Sequence, residues 1–181
     1  MTSTRHTLFA SLAALAVLAS PAMAQKGEAP AASADCDLDA TAHWGGDPDS
    51  GLTARAVTTC EAGGRIRATL TLVDEAGTIQ HEGHYPTDAV MVLAWAEPGQ
   101  LAASLDEWLT AFTQLDNTIH LPSDTAEFPF YPAEGLTQAD IDALRTRGLD
   151  MACYIQGMES ANCLLRDGDG VREIGVWLFP G

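Results

Sequence analysis

The chain has 181 residues, with nine basic against 25 acidic side chains and a formal charge of −16 at pH 7. Such an excess of carboxylates repels nucleic acid and anionic lipid, so neither is an expected partner. The acidic surface favours cationic partners, or serves only to keep the protein in solution. The length predicts one domain with a hydrophobic core of its own.

The first 24 residues have the pattern of a secretory signal peptide. A basic start precedes the apolar run 8–18, and small residues follow it up to Ala24, where cleavage is expected. The apolar run is too short to span a bilayer permanently and no longer run follows, which predicts no membrane span. The expected location is periplasmic or secreted. Residues 25–34 are predicted to form a disordered tether, and residues 35–181 a single α+β domain.

Four cysteines in an exported chain predict two disulfides. Nearness in sequence favours Cys36 with Cys60 and Cys153 with Cys163. A metal site or a catalytic thiol is the alternative, but no CxxC spacing occurs and the expected compartment is oxidising. No metal and no cofactor are predicted.

Residues 35–51 carry five aspartates, which invites comparison with a calcium-binding loop. If Asp35 is position 1, Ala40 stands at the turn-glycine position and Gly46 at the position of the bidentate glutamate. The comparison fails, and the segment is predicted to be irregular and solvated.

Residues 65–73 alternate apolar and polar side chains, as a half-buried antiparallel strand does. The turn at residues 74–77 contains a glycine, and residues 78–85 form the second strand of the predicted hairpin.

The second strand contains His81, Glu82 and His84, which raises the question of a metal or acid/base site. Side chains three positions apart in a strand point to opposite faces unless a bulge intervenes. We therefore expect His81 to lie on the inner face beside Ile79 and Tyr85, with His84 outside. Both histidines remain candidate binding residues.

Residues 89–96 are an unbroken apolar run, which we interpret as a strand because Pro98-Gly99 follows it. Periodicity alone also allows a helix. A long amphipathic helix is predicted over 101–116 from one apolar stripe. The stripe consists of Leu101, Leu105, Trp108, Leu109, Phe112 and Leu115.

Residues 117–135 have no periodicity and contain three prolines, which predicts a long loop. Loops of this length in compact domains are commonly functional. The loop carries Phe128, Phe130 and Tyr131, and we interpret these aromatic side chains as candidate binding residues. The alternative places Phe128 and Phe130 in the core beneath the helix.

A short second helix is predicted to begin at the N-cap Thr137 and to end at Gly148. After it, three short strands separated by GMES and DGDG predict a meander over 150–179. With the first turn centred on Met158, Cys153 lies opposite Cys163, close enough for a disulfide.

The predicted fold class is α+β. One antiparallel sheet, built from the hairpin and the three-strand meander, is covered by one long and one short helix and held by the disulfides.

The sequence contains no GxSxG, Walker, GxGxxG, HExxH or CxxCH motif. The preferred functional hypothesis is therefore an exported non-catalytic binding or accessory protein of the cell envelope, with an envelope protein or a small ligand as partner. The alternative is a small metal-dependent or acid/base periplasmic enzyme that uses the His81, Glu82 and His84 region.

Overall fold

The computed structural model describes residues 36–97, 99–168 and 170–180. The expected signal peptide and tether lie outside these residues. The described chain contains three helices, which are α1 Met91–Ala94, α2 Leu101–Thr113 and α3 Gln138–Arg147. It contains nine strands, which are β1 Asp39–His43, β2 Leu52–Cys60, β3 Ile66–Asp74, β4 Ile79–Pro86, β5 Asp116–Asn117, β6 Phe130–Pro132, β7 Asp150–Ile155, β8 Ser160–Asp167 and β9 Gly170–Leu178.

The strands form two antiparallel sheets, ordered β1-β2-β3-β4 and β5-β7-β8-β9-β6. A sheet-dominated α+β fold is therefore confirmed, whereas the single sheet predicted from the sequence is wrong. In the first sheet, β1 and β2 extend the hairpin β3–β4. In the second sheet, β5 and β6 lie at the two edges of the meander. The hairpin and the meander therefore belong to two separate sheets, each with its own backbone hydrogen bonds.

The strands β1 and β2 were not predicted, and β1 lies in the segment predicted to be irregular. Their inward-facing positions are small, with Ala40 and Ala42 on β1 and Ala54 and Ala56 on β2. Alanine gives a weak hydrophobic alternation, so the period-2 signal is faint. The same small side chains leave room for the large side chains of α2, whose Phe112 is completely buried in the same hydrophobic cluster.

The apolar run 89–96 is not a strand, which corrects the prediction. A 3-10 turn over Thr87–Ala89 is followed by α1. Val90 and Leu93 are buried and three residues apart, while Trp95 is exposed. Burial on one side at this spacing is typical of a helical turn, whereas a strand in a sheet interior would be buried on both faces.

The hairpin β3–β4 is present, with a bulge near its turn. Leu72 pairs with His81 and Val73 with Ile79, so Gln80 is the additional residue. The bulge turns Ile79 outward, where 55% of its surface is exposed, although the sequence placed it on the inner face.

A first hydrophobic cluster lies between the inner face of the first sheet, α2 and one face of the second sheet. A second cluster lies on the opposite face of the second sheet beneath α3, where Ile141, Leu144 and Met151 are buried. The amphipathic α2 buries its predicted stripe from Leu105 to Phe112, although it ends at Thr113, before the predicted stripe residue Leu115. The helix α3 begins with the predicted N-cap as a complete capping box. The narrow apolar face of α3 closes the second cluster.

The meander forms as predicted, with Cys153 opposite Cys163 and Ile155 opposite Ala161. Both predicted disulfides are present, with Cα atoms 4.0 Å apart for Cys153–Cys163 and 5.7 Å apart for Cys36–Cys60. The short separation of Cys153 and Cys163 is typical of a non-hydrogen-bonded cross-strand pair.

The last strand departs from its expected alternation. Because Cys163 pairs with Gly175 and Leu164 with Glu173, Ile174 is an additional residue on β9. Ile174 consequently contacts the second cluster together with Trp177, whereas regular alternation would place it on the same face as Val176. In the described ranges, no helix is long and apolar enough to cross a bilayer.

Candidate functional site

The three aromatic residues of the predicted binding loop lie in different environments. Phe130 is 1% exposed and belongs to the second cluster, so it cannot contact a ligand at the surface. Phe128 is half-buried, and Tyr131 is 55% exposed. Phe130 therefore lies in the core, as the alternative interpretation of this loop predicts. Tyr131 has the most exposed ring of the three.

Part of this loop forms β6, which pairs with β9 at the edge of the second sheet. Pro132 lacks a backbone N–H group on the free edge of β6, whereas the Pro129 carbonyl oxygen faces β9 and accepts from the Leu178 backbone N–H, so the free edge offers few donors to an incoming strand. Arg145 holds the preceding part of the loop, because its Nε donates to the Leu121 carbonyl oxygen at 2.8 Å. This segment is consequently a poor site for strand addition.

The two histidines of the HEGH segment lie on opposite faces of β4, as the strand period requires. His84 is on the outer face, where its Nε2 lies 3.1 Å from Glu82 Oε1 and its Nδ1 lies 3.1 Å from the Thr69 hydroxyl. His81 is on the inner face and half-buried. Glu82 and His84 therefore meet on the outer face, whereas His81 lies on the opposite face of the strand, so the three residues of the enzyme alternative do not form one site.

His81 belongs to a buried polar cluster, which we define as His81, Tyr85, Tyr154 and Asn162. Tyr154 Oη lies 2.6 Å from Tyr85 Oη, 2.8 Å from His81 Nε2 and 3.2 Å from Asn162 Nδ2, which donates to it. A phenol hydroxyl can accept two hydrogen bonds and donate one, so all three contacts are satisfied simultaneously. The polar cluster connects β4 of the first sheet to β7 and β8 of the second.

Burial sets the protonation of this cluster. Desolvation lowers the pKa of the His81 imidazole, and the nearby Glu173 carboxylate opposes part of this shift. Desolvation raises the pKa of both Tyr85 and Tyr154. The cluster is therefore neutral near pH 7 and contains no activated phenolate.

The geometry of the cluster fits a structural cross-link better than a reaction site. Tyr154 is 1% exposed and Asn162 is 4% exposed, so a substrate has no direct access to their polar atoms. Asn162 Oδ1 is buried without a hydrogen-bond partner in the described structure. Tyr154 also stacks on Phe112, with ring centroids 5.8 Å apart, which fixes the ring within the first cluster.

A group of possible metal ligands is disqualified by chemistry. Ligand atoms of Cys36, Asp37 and Cys60 lie within 4.8 Å of one another. The two sulfur atoms form a disulfide, however, and a metal binds thiolates.

A more accessible candidate is an open groove of about 370 Å³ with a mixed polar and apolar lining between α1, α2 and β7, which we call the α2–β7 groove. It is lined by Val92, Glu107, Trp108, Thr110, Ala111, Gln114, Cys153 and Ile155. Trp108 Nε1 donates to the Ile155 carbonyl oxygen at 2.5 Å, which fixes α2 against β7. The groove is therefore built on two rigid elements.

Trp95 is 65% exposed and lies at the C-terminal end of α1, the helix that contributes Val92 to the groove. Its backbone N–H donates to the Met91 carbonyl oxygen, so it continues the turn of α1. Residues three apart on a helical turn are neighbours, which places Trp95 next to the groove residue Val92. Exposed tryptophan is uncommon and is enriched at binding sites.

Few features of the sequence predict this site. Trp95 belongs to the run that was interpreted as a buried strand, and Trp108 to a stripe interpreted as core. The available signal was the position of Trp95 at the end of the apolar run, directly before Ala96-Glu97-Pro98. No family model, curated protein or solved structure matches the chain.

Proposed function

We propose that this chain is an exported, non-catalytic accessory protein of the cell envelope that binds a peptide segment of a partner protein in the α2–β7 groove. The observation that carries this proposal is the exposed Trp95 at the end of α1, three residues after Val92, which lines the groove. Tryptophan is enriched at protein interfaces, so an exposed indole close to a groove is a candidate anchor for a bound segment.

Export is supported by the leader pattern of residues 1–24 and by two disulfides, which persist in oxidising compartments. A periplasmic or secreted location follows from this part of the proposal.

A non-catalytic role is supported by the placement of the titratable groups. His81 lies on the inner face of β4, and the His84–Glu82 pair lies on its outer face. The raised pKa of Tyr85 disfavours a nucleophilic phenolate. Because His81 lies on the opposite face of β4 from Glu82 and His84, we favour a binding role over the acid/base alternative.

Selection from a displayed library of random peptides tests the proposal. The bait is the chain from Gln25, and the comparison variant is Trp95→Ala. Ile119→Ala is the matched control, because Ile119 is 57% exposed but does not line the groove. Peptides enriched on the unmodified chain should be lost with Trp95→Ala and retained with Ile119→Ala.

Two results would overturn the proposal. One is an absence of any enriched peptide sequence. The other is enrichment that survives Trp95→Ala but depends on Tyr131, which would move the binding surface to β6.

A further inference from the structure

Building on the proposed function, we infer that the segment bound in the α2–β7 groove is an extended peptide that combines apolar side chains with lysine or arginine. The inference depends on the shape of the groove, its lining and its charge.

The shape follows from the spacing of the α2 residues. Glu107, Ala111 and Gln114 all line the groove and recur at four and three residues, so the groove follows one face of α2. Seven residues of helix rise about 10 Å, which matches about three residues of an extended peptide. A short linear segment therefore fits the groove better than a folded surface.

The lining combines aliphatic side chains with polar ones. Val92, Ala111 and Ile155 supply aliphatic surface, and the Cys153 disulfide adjoins them. Thr110 and Gln114 are uncharged. In the proposed complex, an apolar peptide side chain packs on these aliphatic residues, while the flanking peptide residues contact the polar residues of α2.

The charge of the groove lining is negative. Glu107 lines the groove, no basic residue does, and Glu107 makes no ion pair in the described ranges. Asp106 precedes it on the exposed side of α2, and Glu97 follows Trp95. A lysine or arginine in the peptide gains attraction to these carboxylates and a cation–π contact with the Trp95 indole, whereas an acidic peptide is repelled.

Fluorescence anisotropy with defined peptides tests the inference. Three labelled peptides of about six residues alternate leucine with lysine, with glutamate or with serine. The lysine peptide should bind at least about tenfold more tightly than the glutamate peptide, and its affinity should fall as salt is added.

Matched variants locate the charge effect. Glu107→Gln should weaken binding of the lysine peptide about two- to fivefold, as expected for an exposed ion pair. Asp106→Gln is the control, because Asp106 is an exposed neighbour that does not line the groove, and its effect should be smaller. Equal effects of the two variants would show nonspecific attraction to an acidic protein and overturn the inference.

The remaining outcomes separate this inference from the proposed function. If Trp95→Ala abolishes binding but the serine or glutamate peptide binds as tightly as the lysine peptide, the groove binds peptides and the cationic class is wrong. If no peptide depends on Trp95, the proposed function itself fails. If binding requires removal of residues 25–34, the groove belongs to this chain's own segment and both are overturned.

Discussion

At the scale of single residues, Gly175 and His81 show how backbone and side-chain chemistry constrain the second sheet and its junction with the first. Gly175 has φ +147 and lies opposite Pro132 on β6. A Cβ atom there would overlap the Tyr131 carbonyl oxygen and lie 2.7 Å from Phe130 Cε1. The position therefore requires glycine for both conformation and space.

Gly175→Ala is expected to lower the free energy of unfolding by about 1–3 kcal/mol, because the added methyl group forces β6 away from β9. Urea denaturation measures the change. Gly63→Ala is the control, since Gly63 has φ +81 but no atom within 4 Å of the new Cβ, and it isolates the backbone cost of about 1 kcal/mol. A smaller loss at Gly175 than at Gly63 would contradict the steric explanation.

His81 predicts a pH dependence of stability. It faces Tyr85 on its own strand, Tyr154 on β7 and the Glu173 carboxylate on β9. Burial lowers its pKa in the folded state below the ordinary 6.5. The unfolded chain therefore binds a proton first as the pH falls, so stability is lost from about pH 6.5 down to the lowered folded pKa.

His81→Gln should flatten the stability profile between neutral pH and the acidic limit of this window, while the amide can still bond with Tyr154. Thermal unfolding at a series of pH values measures the slope. His84→Gln serves as control because His84 is exposed on the outer face. An unchanged slope in His81→Gln would show that other groups cause the acid sensitivity.

At the scale of elements, α3 shows how local sequence alone specifies a helix. Thr137 accepts from the Asp140 backbone N–H, and the Asp140 side chain accepts in return from the Thr137 backbone N–H at 2.8 Å. Gly148 ends the helix in the left-handed conformation. These contacts lie within a dozen residues of sequence, so they could be predicted without any knowledge of the fold.

Thr137→Ala is expected to cost about 1 kcal/mol of unfolding free energy, because the first turn of α3 loses a capping partner. Thr146→Ala makes the same change in the same helix, where the hydroxyl only donates to the Asp142 carbonyl oxygen. It should change stability by less than about 0.5 kcal/mol. Chemical denaturation of both variants is decisive, and equal losses would argue against the capping box.

At the scale of the whole molecule, two features join the sheets. On one side, α2 contacts β1, β2 and β7 and places Trp108 and Phe112 in the first cluster. On the other, β4 contacts β9, and the polar cluster is shared between the sheets. Tyr154 belongs to both features, because its ring stacks on Phe112 and its hydroxyl meets His81 and Tyr85.

Tyr154→Phe should lower the free energy of unfolding by about 1–3 kcal/mol, since it removes the shared hydroxyl and leaves buried polar groups without a partner. Tyr131→Phe is the matched control, because Tyr131 is exposed, and it should change stability by less than about 0.5 kcal/mol. Denaturant titration followed by near-ultraviolet circular dichroism measures both effects. Equal stability of the two variants would show that the polar cluster does not hold the sheets together.

Features that depend on residues close together in the sequence could be predicted without the structure. Short-range spacing predicts the capped α3, the stripe of α2 and the register of Cys153 against Cys163. Nearness in sequence favours the observed disulfide pairing. The structure agrees with these predictions, apart from the earlier end of α2. The opposite faces of His81 and His84 likewise follow from the strand period.

Features that depend on contacts between distant segments of the chain are visible only in the folded structure. The division into two sheets, the outward turn of Ile79 at a bulge and the burial of Phe130 beneath α3 all result from contacts between segments far apart in the chain. The α2–β7 groove is of the same kind, because Val92, Trp108 and Ile155 meet only after folding. Short-range patterns contain no information about which remote segment will cover a given apolar face, so these residues could not be assigned to a site from sequence.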